Sequence, residues 1–347
     1  MSGERTDIGS LGEFGLIDFL TKNIEIQNAG TIVGVGDDAA VIEYFGKQTV
    51  VTSDMLVEGV HFDLSYAPLK HLGYKAVVVN LSDIYAMNAE PQQLLISIAV
   101  SNRFSVEALS ELYEGIYLAC KFYGVDLAGG DTTSSTSGLI ISGTALGAVK
   151  PNHFVQRSTA KKGDLLCVTG DLGAAYLGLQ LLEREKRIFM ENPKVQPDLG
   201  ENTYPIERIL KPEARRDIVD FLATQEVVPT AMMDVSDGLS SDVKHICEMS
   251  NAGCTIYEDK LPVHEQTKKV ALELNLDYTI CALQGGEDYE LLFTLSQEDY
   301  EKITISEQIS VIGHITEAAE GLQLVSVGGD KHELKSLGWD SFKEENK

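Results

Sequence analysis

The chain has 347 residues, of which 53 are acidic and 28 are basic, so its net charge is −25. A surface of that charge repels nucleic-acid phosphates and anionic membranes, which makes both poor partners. The hydrophobic fraction of 44% supplies core material for about two domains, and no apolar run approaches the ~20 residues that a membrane helix needs. Five cysteines without a CxxC pair, and an N-terminus without a signal-peptide pattern, indicate free thiols in the cytoplasm.

The first half of the chain predicts a mixture of helices and strands. A short amphipathic helix is predicted for residues 11–20, and the β-branched runs TIVGV and QTVVTSDM predict strands. The segment from Leu72 to Ala89 is ambiguous, because its three consecutive valines favour a strand whereas its length and its ending favour a helix. A buried strand (QLLISIAV) is followed by a helix with Ser105 as N-cap and Gly124 as stop signal, and then by the strands VDLAGGD and GLIISGTALGAV.

A domain boundary is predicted near residues 150–163, where a proline and a local basic cluster occur, so the predicted domains are 1–150 and 151–347. The second half begins with a strand (LLCVTG), a helix (GAAYLGLQLLEREKR) and an exposed loop (ENPKVQPDLGENTYP). It continues with a strand (AMMDVSDG), a helix (LSSDVKHICEMSNAG) and the strands GCTIYE, YELLFTL and ISVIGHI. Because strands and helices do not alternate strictly, this pattern predicts an α+β fold rather than a doubly wound parallel sheet.

Aspartates recur beside glycine or serine at strand ends, and this recurrence is the main chemical signal of the sequence. It occurs in GVGDDAAVI, TSD, LSD, GGD, TGD and DVSDG. One such aspartate alone is best explained as a turn or cap. The repeated pattern favours sites for a hard cation, because carboxylate oxygens suit Mg²⁺ together with substrate phosphates. Only one of Asp37 and Asp38 need face a metal, since adjacent side chains of an extended segment point in opposite directions.

Three other readings of these motifs fit less well. GVGDDA matches GxGxxA, but Asp37 and Asp38 would place two negative charges against the pyrophosphate of a dinucleotide. In DVSDGLSSDVKHICE, Gly238 is the fifth residue, whereas the glycine of a calcium-binding EF-hand loop is the sixth. The phosphate-loop pattern GxxxxGK[ST] does not occur in the sequence.

The set of motifs resembles that of the thiamine-monophosphate kinases, a family of the PurM-like (aminoimidazole ribonucleotide synthetase-like) ATP-dependent superfamily. The resemblance runs nearly end to end, through GEFGLI, GVGDDAAVI, TSDMLVEGVHF, YKAVVVNLSDIYAMNAEP, GGDTT, RSTAKKGD, DVSDGLSSDVKHI, GGEDYEL and GWDSF. It implies two α+β domains, the first of which pairs in a homodimer with the nucleotide at the interface. The apolar runs QLLISIAV and LIISGTALGAV could supply the interface sheet. The implied reaction is transfer of the γ-phosphoryl group of ATP to thiamine monophosphate.

The resemblance also implies the residues of the site. The magnesium ligands would be Asp38, Thr52, Ser53, Asp54, Asp83, Asp131 and Asp234, with Asp237 binding a further ion. Of these, the catalytic carboxylates would be Asp54, Asp83 and Asp131. The contacts to ATP would come from Gly130, Asp131, Arg157 and Ser236, and the contacts to the thiamine substrate from His61, Glu287 and Trp339. Ser336 stands where some members of the family carry the aromatic residue that contacts thiamine.

Simpler readings and rival functions exist beside this one. His61 near aromatic residues is commonly a packed side chain, and Arg157 is commonly a solvated charge. The nearest rival is another PurM-like enzyme, of the selenophosphate synthetase or aminoimidazole ribonucleotide synthetase type. Selenophosphate synthetases carry a reactive cysteine in the N-terminal glycine-rich region, whereas the first cysteine here is Cys120. Hydrogenase-maturation relatives end in a cysteine-bearing tail, and this sequence ends in KEENK. A non-catalytic, metal-buffering protein would spread its carboxylates through repeats, whereas the aspartates here lie one at each strand end among glycines.

Overall fold

The computed structural model describes residues 19–33, 41–42, 48–150 and 153–334. The chain divides into two compact units, one formed by Met1–Ile84 with Ala89–Asn152 and the other by Tyr85–Asn88 with His153–Lys347. Each unit contains its own large β-sheet and several helices, as the α+β prediction requires. Among the helices of the described ranges, none has the length and apolar character needed to cross a bilayer.

The first unit contains a two-stranded sheet and a four-stranded sheet. Its strands are β1 Thr31–Val33, β2 Val41–Ile42, β3 Gln48–Val57, β4 Glu90–Val100, β5 Asp126–Ser134 and β6 Ile140–Val149, and its long helices are α1 Leu69–Ala86 and α2 Val106–Tyr123. The larger sheet has the order β3-β6-β4-β5, in which only the β4–β5 pair is parallel. The two apolar strands β4 and β6 therefore lie side by side in its centre, and β3 and β5 form its opposite edges.

Helix α2 begins and ends where the sequence predicts. The Ser105 side chain accepts a hydrogen bond from the Ala108 N–H group, which satisfies one of the free donors of the first turn. Gly124 adopts a left-handed conformation with φ +71°, and its N–H group bonds to Cys120 O. A residue without a Cβ atom adopts this conformation with little steric cost, and it ends the helix.

The ambiguous segment that begins at Leu72 is helical and forms most of α1. Val77, Val78 and Leu81 are completely buried in this helix. A helix that is apolar on nearly all sides has no polar stripe to reveal its period. The local preference of valine for strands is therefore overridden by tertiary packing.

Strand β3 presents its side chains alternately to two faces of the sheet. Thr52 and Asp54 lie on the face that α1 covers, which we call the helix-covered face. Val51, Ser53 and Met55 lie on the opposite face, which we call the open face; Val51 is 59% exposed and Met55 is 55% exposed. The same strand thus supplies polar groups to the interior and apolar groups to the surface of the first unit.

The second unit is built on a seven-stranded sheet of order β13-β12-β9-β11-β7-β10-β8. Its strands are β7 Leu165–Thr169, β8 Ala231–Val235, β9 Ala252–Tyr257, β10 Glu290–Leu295, β11 Ile309–Glu317, β12 Leu322–Val325 and β13 Lys331–Glu333. Its helices are α3 Ala174–Glu191, α4 Thr203–Leu210, α5 Arg216–Thr224, α6 Leu239–Ser250, α7 Glu265–Glu273, α8 Tyr278–Gln284 and α9 Tyr300–Ile303. Three short 3₁₀ turns, Glu258–Lys260, Gln297–Asp299 and Ala318–Glu320, complete it.

The central strands of this sheet are buried on both faces. In β7, Leu166 belongs to the core cluster that contains Val243 of α6, and its neighbour Cys167 belongs to the cluster that contains Leu222 of α5. Successive side chains of a strand point to opposite faces, so both faces must be apolar here. This is why these strands appear in the sequence as continuous apolar runs.

Candidate active site

Two carboxylates meet in the first unit where β3 runs beside α1. Asp54 lies on β3 and Asp83 lies on α1, and Thr52 Oγ1 donates a hydrogen bond of 2.6 Å to Asp83 Oδ2. Thr52 and Asp54 share the helix-covered face because they are two residues apart on a strand. The structure thus brings together three of the predicted metal ligands.

The Asp54 carboxyl group lies where a negative charge is unfavourable. Burial raises its pKa to about 7, and the charge of Asp83 and a hydrogen bond with that residue add to the rise. Asp54 Oδ2 is buried and has no hydrogen-bond partner within the described part of the chain. Two adjacent carboxylates with an unsatisfied oxygen are stabilised by a cation between or beside them. This all-oxygen donor set fits Mg²⁺, which binds through one or two carboxylates and keeps water or phosphate oxygens as its other ligands.

Asn80 holds the backbone of Asp54 in place. Its Oδ1 atom accepts a hydrogen bond of 3.1 Å from the Asp54 N–H group, and its Nδ2 atom donates one of 3.0 Å to Ala76 O. Gly143 is paired with Asp54 across the sheet and leaves space for this amide, since a Cβ atom there would lie 2.2 Å from Asn80 Nδ2. Asn80 was not among the predicted site residues, although it stands three residues before Asp83, one helical turn away.

Ser53 and Asp131 lie on the open face instead. Ser53 Oγ donates a hydrogen bond of 2.8 Å to Gly143 O and lies 3.1 Å from Thr144 Oγ1, so its hydroxyl contacts the neighbouring strand β6. Asp131 is paired with Ser97 of β4 and is exposed on β5, at the edge of the sheet opposite to β3. Three strand spacings separate these edges, which corresponds to about 14 Å. A single chain therefore does not bring the Asp131 carboxylate to Asp54.

Gly130 has a packing role of its own. A Cβ atom at this position would lie 1.7 Å from Ile96 O on the neighbouring strand. No side chain larger than hydrogen fits without displacing that backbone, so close strand pairing alone accounts for the glycine. The exposed Asp131 follows it directly.

His61 lies in the tight turn that follows β3. The ring Nδ1 atom accepts a hydrogen bond of 3.0 Å from the Val57 N–H group, and the main-chain N–H group of His61 donates one of 2.9 Å to Val57 O. An Nδ1 atom that accepts a hydrogen bond carries no proton, so in the neutral ring the proton is on Nε2. The turn therefore presents His61 as a hydrogen-bond donor through Nε2.

In the second unit, the end of β8 and the loop before β10 are held together by backbone hydrogen bonds. The Glu287 N–H group donates to Ser236 O at 2.8 Å, and the Tyr289 N–H group donates to Val235 O at 2.9 Å. These bonds place Glu287 beside the segment that carries Asp234 and Asp237. Four of the predicted site residues, Asp234, Ser236, Asp237 and Glu287, thus lie close together.

Asp242 is an acidic residue that the sequence analysis did not select. It lies in the first turn of α6, is completely buried, and accepts a hydrogen bond of 3.1 Å from the Gly238 N–H group. Burial raises its pKa to about 9, with further contributions from Asp234 and Asp237, whereas the Gly238 bond and the charge of Arg157 oppose the rise. The predicted nucleotide contact Arg157 therefore lies near this group. Asp242 is the third aspartate of DVSDGLSSD, and this position in the motif was the sequence signal that could have identified it.

Two predicted site residues, Asp38 and Trp339, lie outside the described residues. Within the described ranges, no group of three or more His, Cys, Asp and Glu side chains is arranged to hold a metal ion.

Comparison with known proteins gives matches along nearly the whole chain. Residues 36–149 match the family model described as AIR synthase related protein, N-terminal domain. The chain is 34% identical over 339 residues to the thiamine-monophosphate kinase of Bacillus subtilis (strain 168), covering 96% of this chain and 100% of that protein. It is 36% identical over 333 residues to the thiamine-monophosphate kinase of Aquifex aeolicus (strain VF5), covering 96% and 98%. The solved structure "AaThiL complexed with AMPPCP and TMP" superposes with a TM-score of 0.75 at 33% identity, covering 98% and 99%.

Proposed function

The chain belongs to the thiamine-monophosphate kinase family, and from this premise we propose that it transfers the γ-phosphoryl group of ATP to thiamine monophosphate. The family resemblance drawn from the motifs and the predicted PurM-like fold are confirmed by the full-length similarities. In the reaction, a bond forms between an oxygen of the acceptor phosphate and the γ-phosphorus of ATP. The bond from that phosphorus to the bridging oxygen of ADP breaks, which gives thiamine diphosphate and ADP. One relative of solved structure is complexed with AMPPCP, an ATP analogue, and with TMP. This complex supports ATP and thiamine monophosphate as the two substrates proposed for this chain.

The observation that carries this proposal is the Asp54–Asp83 pair, with its buried, unsatisfied carboxylate oxygen. Two anionic phosphates must approach each other in this reaction, so charge neutralisation and alignment are its main requirements. Magnesium ions bound at these carboxylates would supply that neutralisation. The ligands that we propose for them are Thr52, Asp54 and Asp83, together with Asp38, Ser53, Asp131, Asp234 and Asp237.

The reaction needs no dedicated general base. The second pKa of a phosphate monoester is about 6, so the acceptor phosphate is already largely ionised near pH 7. The protein side chains therefore act by positioning the two substrates. We assign Gly130, Arg157 and Ser236 to the ATP side, and His61, Glu287 and Trp339 to the thiamine side. His61 would donate from Nε2, because its Nδ1 atom is already an acceptor.

Replacing Glu287 by Gln is expected to raise the KM for thiamine monophosphate roughly tenfold, because a charge-assisted contact to the cationic substrate becomes neutral. The KM for ATP should change less than twofold. Steady-state kinetics with each substrate varied in turn measures both values, and Glu301→Gln removes an exposed carboxylate of the same unit as the control. A variant in which the KM for ATP rose while the KM for thiamine monophosphate stayed unchanged would place Glu287 on the nucleotide side.

We further propose that the active enzyme is a homodimer in which two first units pair through their open faces. Asp131 lies on the open face at the opposite edge from Asp54, so one chain does not join them. Pairing with the two-fold axis along the strands would set the partner's Asp131 against β3, the edge strand that carries Ser53 on its open face and Asp54 on the other. Val51 and Met55 would supply apolar contact area. Light scattering at micromolar concentration should give twice the chain mass, and a monomer mass would refute the proposal.

The decisive measurement for the activity is ADP release in the presence of thiamine monophosphate, free thiamine or no acceptor, each with and without Mg²⁺. We expect release only with thiamine monophosphate and Mg²⁺, because free thiamine lacks the phosphate that the metal-bound carboxylates recognise. Equal release without acceptor would indicate an ATPase.

We place the reaction in the cytoplasm, since the five free and buried cysteines suit a reducing compartment. We propose no nucleic acid or membrane as partner, because the net charge of −25 repels anionic phosphates and lipids.

A further inference from the structure

The loop before β10 has an unfavourable backbone conformation at residues that are not glycine. Glu287 and Tyr289 have φ values of +62° and +52°, and they follow Gly286, a glycine that tolerates its φ of +76°. For Glu287 and Tyr289 this left-handed region brings the Cβ atom too close to the following carbonyl oxygen. Such residues persist where the surrounding structure fixes the backbone more strongly than the strain opposes it, and they cluster at functional sites.

Asp288 fixes this loop from inside the second unit. It is 1% exposed, and its Oδ2 atom accepts a hydrogen bond of 2.8 Å from the Gly173 N–H group at the start of α3. Gly173 is the N-cap of that helix and has no side chain of its own to serve as a cap. Asp288 Oδ1 also accepts a hydrogen bond of 3.4 Å from the Ala175 N–H group, so this carboxylate takes the place of the missing cap, where the helix dipole also favours a negative charge.

The Arg208 side chain fixes the same loop by binding a main-chain carbonyl of the loop. Its Nη2 atom donates a hydrogen bond of 3.0 Å to Asp288 O and one of 2.8 Å to Glu290 Oε1. One guanidinium nitrogen thus joins the loop carbonyl to a buried carboxylate of β10. The planar, always charged guanidinium is suited to holding two acceptors in fixed directions. The Asp288 side chain and its main-chain carbonyl thus fix the loop at the residue between strained Glu287 and Tyr289.

We propose that Arg208 and Asp288 are positioning residues for the acceptor substrate, because they hold the strained loop that presents Glu287. The inference rests on the proposed function, in which Glu287 contacts the thiamine moiety. Neither residue needs to touch a substrate. Their effect is transmitted through the backbone of residues 286–289, in which the Glu287 N–H group donates a hydrogen bond to Ser236 O after the end of β8.

The chain offers a matched control in Arg215. Its guanidinium also binds Glu290, through Oε2, and its Nη2 atom binds Asp217 at 2.8 Å. Within the described residues, however, Arg215 makes no hydrogen bond to the main chain of the loop. Arg208→Lys and Arg215→Lys thus each disturb the Glu290 ion pair, and only the first disturbs the loop carbonyl.

Kinetics of the two lysine variants and of Asp288→Asn test the proposal. We expect Arg208→Lys and Asp288→Asn to raise the KM for thiamine monophosphate at least fivefold, while kcat and the KM for ATP change less than twofold. Arg215→Lys should leave all three constants within twofold of the wild-type values, whatever its effect on the urea midpoint. Equal KM increases in the Arg208 and Arg215 variants, or none in either, would overturn the positioning role.

Hydrogen exchange provides a readout that does not depend on catalysis. The amides of Glu287 and Tyr289 should exchange at least tenfold faster in Arg208→Lys and Asp288→Asn than in the wild type, with no such change in Arg215→Lys. Unchanged exchange in both loop variants would refute the positioning role even if the enzyme is active. If the wild type releases no ADP with thiamine monophosphate, the proposed function fails, and the exchange result alone still decides whether Arg208 and Asp288 hold the loop.

Discussion

We expect Asp54→Asn to lower kcat at least about 1000-fold while the protein stays folded. The change removes one charge from the Asp54–Asp83 pair, and losing one strong electrostatic group from a phosphoryl-transfer site costs about that much. Asparagine has the same shape and carries no charge, so the buried side chain is easier to accommodate next to Asp83. We therefore expect a urea unfolding midpoint equal to or above that of the wild type. Steady-state kinetics and equilibrium unfolding measure the two effects.

Glu114→Gln is the matched control for Asp54→Asn. Glu114 is an exposed carboxylate of α2 that forms a surface ion pair of 3.1 Å with Lys70. Exposed ion pairs contribute about 0–1 kcal/mol, so activity and unfolding should both stay near the wild-type values. Near-normal turnover of Asp54→Asn at saturating Mg²⁺ would remove Asp54 from the metal site.

Mixing two inactive variants, Asp54→Asn and Asp131→Asn, is expected to restore about a quarter of the wild-type activity. Random exchange of subunits makes half of the dimers mixed, and in a two-fold dimer each mixed pair contains one site with both aspartates intact. This recovery follows only if Asp131 serves the Asp54 of the other chain. The variants are mixed under conditions of subunit exchange, or co-expressed with different tags, and assayed by ADP release.

Mixing Asp54→Asn with Asp83→Asn is the control for subunit exchange. These two residues belong to one pair within each chain, so no combination of the two variants contains an intact pair. That mixture should remain inactive. Absence of recovery in the Asp54→Asn and Asp131→Asn mixture, with exchange verified by the tags, would show that Asp131 does not act across the dimer.

Most of the secondary structure follows from local signals, and the exceptions have physical causes. The start and end of α2 were readable because Ser105 and Gly124 perform the capping that their residue types favour. Helices α4, α5, α7, α8 and α9 were not predicted. Neither α4 nor α5 begins with a side-chain cap, so the usual start signal is absent there, whereas α7 and α8 begin at the caps His264 and Asp277, a signal that was present in the sequence. The character of α1 depends on burial from nearly all sides, which only the folded sheet and helices create.

The sequence predicts a set of site residues but not their arrangement in space. The alternation of side chains along β3 already implies that Thr52 and Asp54 point one way and Ser53 the other. The separation of Asp131 from Asp54 depends on the strand order β3-β6-β4-β5, which no local pattern encodes. Asn80 acts through its amide on the Asp54 backbone, and such a contact appears only when α1 is packed on the sheet.

The five free, buried cysteines give each half of the protein its own reporter of local opening. Burial raises the pKa of Cys120, in α2 of the first unit, to about 12, and raises that of Cys281, in α8 of the second unit, to about 11. The thiolate is the nucleophile that attacks an alkylating reagent, so at neutral pH each of these thiols reacts when its segment opens to water. The alkylation rate of Cys120 therefore measures how often the first unit opens, and that of Cys281 measures how often the second unit opens. Neither measurement requires a substitution or an added label.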